Sequence, residues 1–584
     1  MLIPAPNGAC GVSRKASRSS LAPTTSPSTL SHPAWSTARA SETRSSRKSL
    51  PSMGFPPKRP RRNTPRTMRL AGSAPTRTSR MRRSSSPLTA RARSPASTCP
   101  STVAGHHCED KMTDLILTGG TIVNENARAV ADVAITDGAI SAIGLPGTLG
   151  EAAEIVDVTG MHLIPGGIDM HVHFREPGYT HKEDWETGTQ AAAMGGVTTV
   201  FEMPNTHPPT RSVKEFREKQ ALAEKACVDY GIYGLLAEDN IDEIPGLIEA
   251  GVNAFKCFMG NTFGNLPSPS TGAMLEGFEI ISQSGLRISL HAETASIMAW
   301  RQAKLEAAGL NAPLYHIAAR PEVVAIEAVA RAAILAEWTG ARVHVLHISS
   351  AGELRPLAEA KARGVDITGE TCPCYLFLDS SDYERLGSVI RVNPPVREKK
   401  DSIAIWEALQ SGVVDMIATD HAPHTPEEKT NDVIWKADCG FPGVETQMPL
   451  MLTEVAAGRM TLEHYVKISS ANPARAFGMW PAKGRIAVGA QADIAVLDMT
   501  REEVIRAERL HSRGKITPFE GRTTIGAPIH TIVRGRFVQR DRTLCDGVRG
   551  HGRQVTAIQK MPAPAPRNVD QCLATLLHPK EAAE

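Results

Sequence analysis

Ile164-Pro-Gly-Gly-Ile-Asp-Met-His-Val-His-Phe-Arg-Glu-Pro-Gly178 reads as a buried strand running into a polar loop. Side chains two apart on a strand point the same way, so His171 and His173 converge on one face. Two neutral imidazoles there suit a divalent metal, whereas an isolated pair is as often two hydrogen-bonded interior histidines. The rest of the chain decides between these readings. Apolar runs alternate with helical segments through its middle, the pattern of a parallel α/β architecture. Eight candidate strands lie around His171 and at 198–205, 231–236, 254–259, 287–291, 343–347, 366–371 and 415–420. Eight strands with intervening helices predict a (β/α)8 barrel of TIM type, whose strand ends face one mouth. Those ends carry His171, His173, Asn205, Lys256, His291, His347 and Asp420.

Four histidines, an aspartate and a lysine predict a centre for two divalent ions. Zinc comes first because the set is nitrogen-rich, although other first-row metals share these ligands. Lys256, within Ala254-Phe-Lys-Cys-Phe258, is expected among apolar neighbours. Burial favours the neutral amine, which takes up carbon dioxide as a carbamate, and that anion can bridge two metals. A snorkelling or ion-paired lysine is the ordinary alternative.

Short alternating segments between turns over residues 112–165 predict a small antiparallel sheet. The same texture returns at 492–498 and 529–538, so both ends of the folded region are expected to build one composite β-sandwich domain. The expected boundaries are 112–165 and 481–545 for that domain, 166–480 for the barrel and 546–584 for a C-terminal tail. Asn472-Pro-Ala-Arg475 and Lys483-Gly-Arg-Ile486 read as a helix start and a turn. Residues 1–111, rich in Ser, Pro, Thr and Arg, lack hydrophobic periodicity and are expected to be disordered. They read as a functionless extension ahead of Met112, with an organellar leader as the alternative.

Residues 1–111 hold 20 Lys and Arg against three acids, and the remainder holds 45 basic against 59 acidic residues. The folded part is therefore acidic, which gives no support to nucleic-acid binding. Ten cysteines without paired spacing, Cys372-Pro-Cys374 being the closest, fit a reducing, cytoplasmic setting. No apolar run approaches the roughly 20 residues of a membrane span.

HVHFREPG at 171–178, MPNT at 203–206, AFKCFMG, SLHAET, HVLHISS, NPPVR and ATDHAPHTPEEK, in this order, resemble the cyclic amidohydrolases of the amidohydrolase superfamily. The resemblance is most similar to dihydroorotase of the longer, bacterial type and covers roughly Met112 to Val538. It implies a metal-centred barrel with His171, His173 and Asp420 on one zinc, His291 and His347 on the other, and carboxylated Lys256 between them. It implies Asp420 as the catalytic group that moves a proton from bound water to the leaving amide nitrogen. The implied reaction opens or closes dihydroorotate and N-carbamoyl-aspartate, in pyrimidine biosynthesis. Arg175, Asn205 and His424 would then hold the ring carboxylate and Asn393 the ring.

Hydantoinase and dihydropyrimidinase relatives carry a tyrosine five residues after the metal lysine, where this chain has Asn261, and allantoinases lack the arginine at Arg175. Two features pull toward those relatives nonetheless: Glu370-Thr-Cys-Pro-Cys-Tyr-Leu376 and the Gly-, Pro- and Ser-rich stretch 261–273. Cys374 reads as a soft ligand, a reactive thiol or, most commonly, a small buried hydrophobe. A homo-oligomer acting on a small cyclic amide is expected, with no nucleic-acid or membrane partner. The alternative of another class is an inactive scaffold with this fold, which the complete ligand set disfavours.

Overall fold

The computed structural model describes residues 112–264 and 266–556. Eight parallel strands form one sheet in sequential order: β1 (Gly167–Val172), β2 (Val197–Glu202), β3 (Asp229–Leu236), β4 (Ala254–Phe258), β5 (Arg287–His291), β6 (Arg342–Val345), β7 (Ile367–Thr371) and β8 (Met416–Ile417). Every residue of β1 to β5 is buried. Strands covered on both faces read as continuous apolar runs, which is why they stand out in the sequence. A bridge between Val172 and His421 brings the last strand back to the first, with His173 N donating to His421 O at 2.7 Å. The expected TIM-type barrel is therefore present.

Several ladders stop short of the expected ends, at Glu202, Phe258, Val345 and Ile417, so Asn205, His347 and Asp420 stand in the loops beyond. At β8 the cause is a side chain that replaces the ladder. The Asp169 carboxylate accepts from His171 N at 3.1 Å, from Thr419 N at 3.2 Å and from the Thr419 hydroxyl.

Helices cover the barrel. Val323–Thr339 buries Val324, Ala325, Ala328, Val329, Ala332 and Ala336, a stripe at helical spacing, and ends at Gly340 in the left-handed conformation. Ala351–Ala362 opens on a capping box formed by Ser350 and Glu353. Glu353 also accepts from Ser349 N at 3.0 Å, which fixes the short loop that carries His347.

The second domain is a pair of facing sheets. One is four-stranded, in the order Ala139–Gly144, Asp132–Thr136, Thr113–Thr118, Ala152–Asp157. The other is seven-stranded and joins the two chain ends, because Ile494–Val504 pairs with His162–Pro165 through Ala495↔Ile164 and Val496↔Leu163. Leu115, Leu117, Ile122, Val133, Leu163, Ile494, Val496 and Ile532 fill the space between. The sheets are mixed, not antiparallel as expected. Thr113–Thr118 runs parallel to Ala152–Asp157, the strands between them being long enough for the crossover that parallel pairing needs.

Lys483, in the expected turn, is buried and bridges Asp229 and Asp493 at 2.7 and 2.5 Å, tying this domain to β3. Residues 546–556 of the expected tail pack on the barrel, with Gly552 N bonded to Ala226 O and Val555 N to Tyr230 O, both at 2.8 Å. The expectations for residues 1–111, and for the tail past 556, lie outside the described residues. Among the described residues the cysteines are unpaired, and no helix is long and apolar enough to cross a membrane.

Candidate metal centre

β1 meets the end of β8 at the seam, and this brings His171, His173 and Asp420 together. His171 Nε2 and His173 Nε2 are 3.2 Å apart, and Asp420 Oδ1 lies 3.2 and 3.1 Å from them. Tetrahedral zinc with Zn–N bonds of about 2.0–2.1 Å spaces its ligand atoms about 3.3 Å apart, so these three atoms fit one ion. The remaining ring nitrogens are already held, His171 Nδ1 by Glu370 Oε1 and His173 Nδ1 by Asn205 Oδ1, both at 2.7 Å. Each Nδ1–H points away from the centre and leaves the Nε2 lone pair to a metal. Burial, reinforced by Lys256 at His171 and by Arg175 at His173, holds both imidazoles well below their ordinary pKa.

A second pair of donors adjoins the first. The His347 ring lies 5.4 Å from that of His171, and His347 Nε2 is 2.9 Å from His291 Nδ1. Among the described residues His347 Nδ1 has no partner, while His291 Nε2 lies 3.0 Å from Glu293, itself paired with Arg320. Lys256 is 1% exposed, and its Nζ makes no hydrogen bond or ion pair among the described residues. Its charge acts on all four histidines and on Asp420. Burial lowers its amine to about 8 and pushes the Asp420 carboxyl up to about 6. The donor set, buried imidazoles with one carboxylate and a buried amine beside them, therefore fits metal binding.

Arg175, His347 and Asp420 all have positive φ, at 65°, 40° and 48°. Non-glycine residues there cost of order 1–3 kcal/mol each, and such strain collects at functional sites.

Arg175 is fully buried. Its Nε donates to Pro423 O at 3.2 Å, its Nη2 lies 3.1 Å from His424 Nε2, and its Nη1 has no partner among the described residues. Phe263 lies over the guanidinium at 4.5 Å, so the stretch after the lysine strand does shape the pocket. His424, expected on the substrate, has both ring nitrogens engaged: Nε2 faces Arg175 and Cys439 O, and Nδ1 lies 2.9 Å from Asp438 and 3.0 Å from Lys182. It supports Arg175 and leaves no free nitrogen for a ring. Asn205 is likewise committed, its Oδ1 to His173 and its Nδ2 to Phe263 O at 3.4 Å. Asn393 keeps an unpartnered Oδ1. Cys374 is a member of the apolar core, with Cys372, as a small buried hydrophobe.

His424, Glu428 and Asp438 form another cluster of donors with metal-like spacing. The Lys182 ammonium sits 3.0, 3.2 and 2.7 Å from them and already supplies the positive charge.

Sequence reasoning missed Glu370, Asp169, Glu293 and Phe263. A glutamate in the otherwise neutral strand Ile367-Thr-Gly-Glu-Thr371 was the available signal for the first. Glu370 also holds His344, at 2.9 Å.

Comparison with known proteins narrows the chemistry. The model of the amidohydrolase family matches residues 162–538. An allantoinase of Rubrobacter xylanophilus is 37% identical over 73% of this chain and 94% of its own length, and an L-hydantoinase of Paenarthrobacter aurescens is 35% identical over the same shares. Among solved structures, the L-hydantoinase (dihydropyrimidinase) from Arthrobacter aurescens superposes with a TM-score of 0.74 at 34% identity, covering 76% of this chain and 100% of that one. The dihydropyrimidinase from Brevibacillus agri gives 0.71 at 31%, covering 77% and 100%. These names support the cyclic-amide part of the expectation and not its dihydroorotase and pyrimidine-biosynthesis part. With the matched segment running from the strand before the barrel into the second half of the β-domain, the chain belongs to the amidohydrolase family, as a hydrolase of cyclic amide C–N bonds.

Proposed function

We propose that this protein opens a cyclic ureide ring of the allantoin or hydantoin type, using two zinc ions held by His171, His173 and Asp420 on one side and by His291 and His347 on the other, with Lys256 carboxylated between them. The observation that carries this is the triangle of three donor atoms within 3.2 Å, beside a second imidazole pair and an unpartnered buried lysine. The relatives named allantoinase and L-hydantoinase supply the substrate class. Metal ions there would lower the pKa of a bound water and polarise the scissile carbonyl.

The chain's own residues do the rest. Asp420, whose side chain is 10% exposed and whose Oδ1 faces the two imidazoles, accepts the proton that water loses as its oxygen bonds the carbonyl carbon. It returns that proton to the ring nitrogen as the C–N bond breaks, leaving a carboxylic acid and an open carbamoyl or ureido chain. Glu370 and Asn205 keep His171 and His173 in the tautomer that leaves Nε2 free. Arg175 Nη1 donates to an oxygen of the ring.

A second reading, dihydroorotate, draws on Arg175. A buried guanidinium without a carboxylate partner suits a ring that brings one. Turnover of allantoin, hydantoin, dihydroorotate and dihydrouracil by zinc-loaded protein separates the readings. Allantoin or hydantoin is expected to lead; a preference of about 100-fold or more for dihydroorotate would replace the first reading by the second.

A further inference from the structure

The amino ends of β4 to β6 open onto a cavity at the far end of the barrel from the metal centre. Its volume is about 500 Å³, within the roughly 300–1,000 Å³ range of small-molecule sites. Arg287 and Arg342, the first residues of β5 and β6, stand in its wall with Leu286, and Ile248 and Val252 join them from the helix and turn ahead of β4. Phe477 and Val555 close it from the chain beyond β8. Apolar walls with a few convergent polar groups are what a small-ligand site ordinarily shows.

The charge of this wall is one-sided. Both arginines share one acid, Asp366, which accepts from Arg287 Nη2 at 2.8 Å and lies 3.3 Å from Arg342 Nε. Two cations on one carboxylate leave a positive charge over, and among the described residues the wall itself carries no acid. Arg287 is committed to the fold, its Nε donating to Ala476 O at 2.9 Å and its Nη1 to Val343 O at 2.8 Å. Arg342 is not: its side chain is 12% exposed, and its two terminal nitrogens make no hydrogen bond among the described residues. Burial lowers its pKa from the ordinary arginine value, with Asp366 opposing that shift and Arg287 adding to it. A guanidinium so placed gains by meeting an anion.

We infer that this cavity binds a small carboxylic acid with an apolar body, its carboxylate on Arg342 and its body against Ile248, Val252, Leu286, Phe477 and Val555. A monoanion cancels the charge left over, whereas a cation is repelled and a neutral apolar molecule leaves Arg342 unmet. The chain past Thr556, where the described wall ends, does not bring that charge: it continues Ala557-Ile-Gln-Lys-Met561, and its first acid is Asp570. The site is separate from that of the ring substrate, which belongs to the carboxyl ends of the strands.

The test is calorimetric titration of full-length, zinc-loaded protein with naphthoate and with its neutral counterpart, naphthamide. Naphthoate is expected to bind at a single site without competing with the ring substrate in turnover. Naphthamide on wild type, and naphthoate on Arg342→Met, should each bind about 10- to 100-fold more weakly, the weight of a hydrogen bond to a charged group. Ile248→Trp, which fills the space, should lose naphthoate as well and serves if Arg342→Met does not fold. No binding to the full-length protein, as when the chain past Thr556 or a second copy fills the space, overturns the inference. Equal binding of naphthamide, competition with the ring substrate, or an affinity unchanged in both variants overturns it too.

Discussion

Glu370 reaches across the barrel interior to His171 at 2.7 Å and to His344 at 2.9 Å, so one carboxylate orients a metal-facing imidazole and its neighbour. Burial raises its pKa well above the ordinary range, opposed chiefly by the charge on Lys256. Outer groups of this kind are worth about 10- to 100-fold in metal affinity or activity. Glu370→Ala should therefore weaken zinc binding by that factor while the protein stays folded, as read by competition with a chelator; unchanged affinity would show that His171 needs no such support. At this scale the sequence revealed the candidate donors but not what holds them. His171 and His173 are legible because alternation along one strand puts them on one face. The link from His171 to Glu370 joins β1 to β7, which are not neighbours in the sheet, and no local pattern reports such a contact. The positive φ at His347 and Asp420 is equally hidden: both residue types enter the left-handed region more often than most, but only a small share of them do, so the type alone marks no turn.

The loop after β1, which carries His173 and Arg175, is anchored by the end of β2. Glu202 accepts from Phe174 N at 2.7 Å, and its charge is met 3.6 Å away by Lys219 of the helix Val213–Ala223. Both side chains are 1% exposed, and burial raises Glu202 to about 7 and lowers Lys219 to about 8. Removing one partner of a buried pair costs about 3–5 kcal/mol. Lys219→Met should destabilise by that amount in denaturant unfolding, and adding Glu202→Gln should recover part of it; a loss below about 1 kcal/mol would mean the pair does not anchor the loop. The strands themselves were legible because both their faces are covered. Their ends were not, because the loops holding Asn205, His347 and Asp420 are fixed by side-chain bonds such as those from Asp169 and Glu353, which a hydropathy pattern does not encode. The parallel pairing inside the β-domain was missed for a related reason: alternation shows which face is buried and says nothing of strand direction.

Across the whole molecule, the mouth of the barrel carries the chemistry while its outer helices carry apolar side chains with no cover. Trp300 is 69% exposed on Ala295–Ala307, and Ile334 and Trp338 are 63% and 49% exposed on Val323–Thr339. Ile334 and Trp338, four apart, share one face of their helix, and an exposed apolar face marks a contact surface, so the expected homo-oligomer is proposed to form through Val323–Thr339. Light scattering should return a multiple of the chain mass, lowered by Trp338→Glu; a monomer at micromolar concentration would contradict it. Oligomerisation leaves no trace in a single sequence, because an outward tryptophan reads the same whether or not a partner covers it. The central claim concerns the centre itself, and it is tested most directly by titrating zinc into metal-stripped protein while following opening of allantoin or hydantoin. Activity should be absent at the start, rise with added zinc and level off at about two equivalents per chain, the stoichiometry of a two-metal site. Ring opening that persists without metal, or that saturates at about one equivalent, would contradict a centre shared by His171, His173, Lys256, His291, His347 and Asp420.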